Sequence, residues 1–419
     1  MGDRVRAGME TLALLGGRPV RPTLLPYARQ TIDAADVRAV SEALAGDWIT
    51  QGPTVARFEA ALAAVGGAAH AVAVANGTAA LHAACWAGGL REGDDAITTP
   101  LPFAATANAV VYQGARPIFA DIDGATLTID PDAVKRVATP RTRAVLPVDF
   151  AGLPCDYERL PALAREHGWL VIADAAHSLG GAFGDRSVGS LADMTTLSFH
   201  PAKIITAGEG GAVLTDHADL AARLRRMRHH GIRYDDASRP WRYEIEEPGF
   251  NYRLTDFQSA LGLSQLGRLE AFRTARDRLA RRYRERLAGS PFLELPALPA
   301  DRRHAWHLFL VLLRLEHLTA DQDTILRALR AENIGVQLHY PLVYRHSYYR
   351  ERFGYREGLC PVAESVARRL ITLPLFPTMS DAVVEGVVTA LQSVLRGACR
   401  CHPSPPSISA RPCRASRPT

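Results

Sequence analysis

From residue 70 onward, short apolar runs alternate with stretches of helical period. AHAVAVANG, DDAITTP, RPIFADID, RAVLPVDF, WLVIADAAH, MTTLSFH and GGAVLTD read as strands, while GTAALHAACWAGG, ATANAVVYQG and YERLPALAREHG read as helices between them. Such alternation predicts βαβ crossovers and a mainly parallel sheet covered by helices on both faces. After about residue 255 the rhythm changes. One long helical run, Thr255 to about Leu287, leads into HAWHLFLVLL, TADQDTILRALRAENI, GVQLHYP and SDAVVEGVVTALQSVL, which predict a smaller α+β unit. The expected organisation is an N-terminal arm over 1–26, a large domain over 27–270, a small C-terminal domain over 271–396 and a tail over 397–419. There is no internal repeat.

Composition narrows this picture. At 419 residues with 47% apolar and 22% charged side chains, the chain can bury a large core. It has no apolar run of membrane-spanning length, and its first residues are too short and too charged for a signal peptide, so a cytoplasmic location is expected. Much of the formal charge of +5 comes from Arg400, Arg411, Arg414 and Arg417, which argues against a nucleic-acid surface on the body. The tail that carries them is rich in proline and poor in large apolar residues, a composition that predicts disorder. Cys399, Cys401, His402 and Cys413 have an unusual spacing for zinc, so reduced thiols and no metal are expected.

In open α/β sheets chemistry lies beyond the carboxyl ends of the strands. After the strand AVAVA comes NGT, where Gly77 and Thr78 open a helix. Free N–H groups there suit a small phosphate, although a simple capping turn has the same appearance. No GxGxxG follows a strand and no GxxxxGK[ST] occurs, which argues against dinucleotide and P-loop NTP binding. Asp174 and His177 follow WLVIA. A carboxylate there is either a helix cap or the partner of a protonated pyridine nitrogen. MTTLSFH carries Ser198, a hydroxyl for a phosphate, and beyond it lies Lys203, an amine able to form a Schiff base if desolvated. Phe103, beyond another strand, is either core or a ring for stacking. A phosphate turn, a carboxylate and a lysine at successive strand ends favour pyridoxal phosphate (PLP).

Five ordered motifs then carry a resemblance. NGTAALH, TTPLPFAATANAV, VIADAAHSLGG, SFHPAK with GEGGAVLTD, and GFNYRLTDFQSALGLSQL resemble the DegT/DnrJ/EryC1/StrS aminotransferases, over about Leu14 to Leu395. The resemblance implies PLP-dependent transferase fold type I, a large α/β domain with a smaller α+β domain. By position Lys203 resembles the Schiff-base lysine, Asp174 the pyridine partner, Phe103 the stacking ring and His177 the residue beside the ring hydroxyl. Gly77, Thr78 and Ser198 correspond to the phosphate cup, and Asn251 to an asparagine donated by the neighbouring subunit, which implies a homodimer with shared sites. LPYARQTIDAADV, DWITQGP, HGIRY with WRYE, GVQLHYPLV with HSYYRERFGY, and LPLFPTMSD are similar to the C4 aminotransferases of pseudaminic acid biosynthesis. That likeness implies L-glutamate as donor and a UDP-linked 4-keto-6-deoxy-N-acetylhexosamine as acceptor. Candidates for the anionic substrates are Arg253, His230, Arg233, His339 and Tyr340. Another nucleotide-linked keto-sugar is the main alternative. A sugar dehydratase or a non-catalytic relative fits less well, because Lys203, Asp174 and Ser198 are all retained.

Overall fold

The computed structural model describes residues 12–234, 239 and 241–399. Cys401, His402, Cys413 and nearly all of the basic tail lie outside these residues, as does the start of the arm. Seven strands make the main sheet: β1 (His70–Val74), β2 (Asp95–Thr98), β3 (Arg116–Phe119), β4 (Thr142–Leu146), β5 (Leu170–Asp174), β6 (Met194–Ser198) and β7 (Gly211–Thr215). Their order is β1-β7-β6-β5-β4-β2-β3. The neighbours from β6 to β3 are parallel, whereas β7 runs antiparallel to both β1 and β6. This is the mainly parallel α/β sheet expected from the alternating pattern. Most of the strands are buried along nearly their whole length, as suits a sheet covered on both faces.

The order places the site. β5, β6 and β1 end on the same side, and β7 fills the space between β6 and β1. Gly211 opens β7 where the turn after β1 passes; a Cβ there would meet the Asn76 carbonyl oxygen at 2.4 Å and Gly77 N at 2.8 Å. Only glycine permits this approach.

The expected single helix from Thr255 to Leu287 is instead two, Asp256–Leu266 and Leu269–Leu287. The first starts with a capping box, Thr255 with Gln258, and is capped at Gly267. Arg268 then leaves helical geometry and ion-pairs with Asp33 (2.6 Å) and with buried Asp36. Gly267, a poor helix former, weakens the junction, and the tertiary ion pairs of Arg268 fix the break there.

A second, antiparallel sheet consists of β8 (Leu293–Glu294), β9 (Phe309–Leu313) and β10 (Leu370–Leu373). The helices Leu269–Leu287, Gln322–Ala331 and Asp381–Gly397 cover it with a continuous apolar core. Residues 12–25 strap this unit: the Ala13 and Val20 N–H groups donate to the two carboxylate oxygens of buried Glu332 at 2.7 and 2.8 Å. Cys85, Cys155 and Cys360 are free and buried. Among the described residues no helix is long and apolar enough to cross a membrane, and no cluster of three or more metal-ligating side chains occurs.

Candidate active site

A cavity of about 460 Å³ opens at the carboxyl ends of β1, β5 and β6, closed on one side by residues from the second sheet's surroundings. It brings together Gly77, Thr78, Phe103, Asp174, His177, Ser198, Lys203, His339 and Tyr340.

The turn after β1 is built as an anion cradle. Asn76 caps the helix Gly77–Ala87: its side chain accepts from the Ala79 N–H (2.8 Å) and its carbonyl from the Ala80 N–H (3.1 Å). The N–H groups of Gly77 and Thr78 remain available to a ligand at the positive end of the helix. Ser198 stands at the end of β6, so close that a Cβ on Gly77 would lie 2.8 Å from the Ser198 Cβ and 3.1 Å from its hydroxyl. Gly77→Ala is therefore expected to push the turn and the serine apart and weaken PLP binding by about 10-fold or more, measurable by fluorescence titration. Unchanged affinity would remove this turn from the phosphate site.

Asp174 ends β5 with its carboxylate buried. Thr106 Oγ1 donates to its Oδ2 at 2.6 Å, and the Ala176 N–H donates to its Oδ1 at 3.2 Å. Burial raises its pKa, while those two hydrogen bonds and the Lys203 charge pull it back toward the ionised form. Burial likewise pushes the Lys203 ammonium down to about 8, against the pull of Asp174. A lysine in that range is a competent nucleophile and base near neutral pH.

One wall is aromatic. Phe103 is 60% exposed, so it is not a core residue, and its ring centroid is 5.7 Å from that of Tyr340. The Tyr340 hydroxyl shares a 3.2 Å hydrogen bond with His177 Nε2. His177 Nδ1 is buried without a partner. The His177 ring packs on His307 at 4.3 Å. Burial, with the nearby Lys203 charge, holds His177 and His307 well below the usual histidine range and puts His339 at about 4. These rings are neutral at physiological pH.

Four candidates lie elsewhere. Asn251 and His230 are exposed, Arg253 lies within 2.9 Å of His229 Nδ1, and Arg233 pairs with Glu246; none lines the cavity of its own chain. Reading the sequence missed Asn76, Thr106, Tyr27 and His307. Thr106 had a signal, three residues after Phe103 in the same motif. Tyr27 and His307 had none, because only packing of the second unit brings them here. His200 and Glu209, three residues before and six after Lys203, also line the cavity.

The family model described as the DegT/DnrJ/EryC1/StrS aminotransferase family matches residues 30–392. The chain belongs to that family. It is a sugar aminotransferase, and its cofactor is PLP. It is 40% identical over 385 residues to the spore coat polysaccharide biosynthesis protein SpsC of Bacillus subtilis (strain 168), covering 90% of this chain and 99% of that one. Among solved structures it is similar to Helicobacter pylori PseC, an aminotransferase involved in the biosynthesis of pseudoaminic acid, with a TM-score of 0.85, 30% identity and coverage of 90% of this chain and 100% of that one. It is also similar to DesI, solved in the presence of its TDP-sugar product, with a TM-score of 0.84, 33% identity and coverage of 92% and 97%. The cavity fits the cofactor: a cradle that a Cβ on Gly77 would fill, a buried carboxylate, an unpartnered ring nitrogen on His177 and a lysine of lowered pKa all face one space.

Proposed function

We propose that this aminotransferase moves the amino group of L-glutamate to C4 of a nucleotide-linked 4-keto-6-deoxy sugar, most closely UDP-2-acetamido-2,6-dideoxy-4-keto-hexose, as in pseudaminic acid biosynthesis. The observation that carries the site is the convergence of Lys203, Asp174, Ser198 and Gly77 on one cavity. The sugar assignment rests on the subgroup motifs and on likeness to the Helicobacter pylori enzyme.

In this reading the N–H groups of Gly77 and Thr78, with the Ser198 hydroxyl, hold the cofactor phosphate. Phe103 would stack on the bound ring, Asp174 would partner its pyridine nitrogen and His177 its hydroxyl. Bound there, PLP supplies an electron sink. Asp174 keeps the charge that makes the sink effective, and Thr106 keeps Asp174 ionised. Lys203 holds the cofactor at rest; once released, its amine takes the proton from Cα of glutamate and, in the second half-reaction, delivers one to C4 of the sugar. The two substrates occupy one site in turn, so ping-pong kinetics follow.

Charge supports a homodimer. Among the described residues lining the cavity, Lys203 is the sole Lys or Arg, beside the acids Asp174 and Glu209. A cofactor phosphate, a dicarboxylate and a nucleotide diphosphate all need cations or donors there. The segments carrying His230, Arg233, Asn251 and Arg253 supply them when they come from a second copy, with Asn251 reaching the phosphate. His339 and Tyr340 contact substrate from within the chain.

The test incubates enzyme, PLP and glutamate with UDP-, GDP- and dTDP-linked keto-sugars and identifies the amino product by NMR. The UDP-linked 4-keto-N-acetylhexosamine is expected to give the 4-amino sugar. Conversion of a dTDP or GDP sugar alone would replace the sugar assignment and leave the transaminase intact.

A further inference from the structure

The helix Leu269–Leu287 buries a stripe of Leu269, Phe272, Leu279, Tyr283 and Leu287 at helical spacing, and Arg276 sits within that stripe. The helix's other arginines are exposed or only partly buried, but Arg276 is 1% exposed. No carboxylate pairs with it among the described residues. Its Nη1 donates to three main-chain carbonyls, Trp306 (3.1 Å), His307 (3.3 Å) and Leu375 (3.0 Å). An unpaired buried charge is costly, and a hydrophobic residue would fit the stripe better if packing were all that mattered.

Those carbonyls lead to the cavity. His307 lines it and packs on His177. The Leu375 N–H donates to the Tyr27 carbonyl at 3.0 Å, and Tyr27 also lines the cavity. On its far side His307 N abuts Gly152, whose Cβ, if present, would meet it at 3.0 Å and the His177 carbonyl at 2.8 Å. The His307 main chain is thus held between a glycine turn and a guanidinium. Lys203 and Arg276 also line a common void of about 10 Å³, near the lower limit for a water molecule.

We infer that Arg276 is a positioning residue for transamination: through the carbonyls of Trp306, His307 and Leu375 it seats His307 and Tyr27 against the cofactor and closes the space behind Lys203. The inference rests on the reading of the main cavity as the PLP site. Its permanent charge also faces His307 together with His177, Lys203 and His339, and adds to the forces that keep that ring neutral.

The test uses the full-length, PLP-loaded enzyme with Arg276→Met. Turnover is expected to fall on the order of 100-fold, as for a remote substitution that misplaces reacting groups. The visible circular dichroism of the bound cofactor, which reports the ring's orientation in its site, is expected to change, whereas loss of stability far from the ring would leave it as in the wild type. Arg276→Ala is expected to regain turnover saturably with added guanidinium. If the methionine variant does not fold, Arg276→Gln, which keeps a donor and most of the volume, is expected to alter the dichroism in the same sense. A folded variant with wild-type dichroism and turnover would overturn the inference. Borohydride reduction of the wild type separates the two readings: absence of label on Lys203 sinks the cavity assignment, while label on Lys203 with unaffected variants sinks only the role of Arg276.

Discussion

Replacing Lys203 by alanine is expected to lower turnover by at least about 10⁴-fold, because one amine serves as both anchor and proton carrier. After borohydride reduction and digestion, the wild-type peptide containing Lys203 should carry the cofactor's mass, and the variant should carry none. An active variant, or label on another lysine, would remove Lys203 from the site. The same residue gives a pH dependence. The free amine is the reactive form, and its fraction rises with pH through its pKa, which burial has lowered to about 8. Uptake of PLP by enzyme stripped of cofactor should therefore accelerate with pH and level off above about 8. A midpoint near the ordinary lysine value of about 10.4 would mean a solvated amine.

Asp174→Asn is expected to leave the cofactor attached yet reduce kcat by roughly 10²- to 10³-fold, the scale of losing one preorganised electrostatic partner. The amide keeps the size of the side chain but loses the charge that Thr106 Oγ1 and the Ala176 N–H stabilise. Single-turnover kinetics with glutamate would separate the step from binding. A kcat within a few-fold of wild type would reduce Asp174 to a structural cap, the other reading that the sequence left open.

The parts of the site legible in the sequence are those governed by local rules. Strand ends of an α/β sheet carry chemistry, so position made Gly77, Asp174, Ser198 and Lys203 candidates, and their combination with the family motifs gave them roles. Phe103 taken alone reads as core; the neighbouring groups and the family motif turn it into a stacking ring, and its exposure agrees with that reading. Thr106 could be noticed from its place in the Phe103 motif, but its bond to Asp174 could not, because the two lie on different elements. Tyr27, His307 and Arg276 depend on contacts between distant segments, and Arg276 was hidden among the arginines of its helix, although its place in the apolar stripe marked it. The break at Arg268 was only half legible: Gly267 marks a weak point, but the pair of carboxylates that fixes it lies more than 200 residues away in sequence.

The antiparallel strand wedged between β1 and β6 has a consequence in time. His70 pairs with Thr215 and Val74 with Gly211, so the first strand made has no partner on this edge until the last is complete. Such distant closure is slow, because loop entropy is lost before contacts compensate. The cradle at Gly77 and the strand that carries Ser198 are brought into register by that same late event. Affinity for the cofactor phosphate should thus emerge in one step, late in refolding, and PLP present during refolding would favour the chains that have closed this edge.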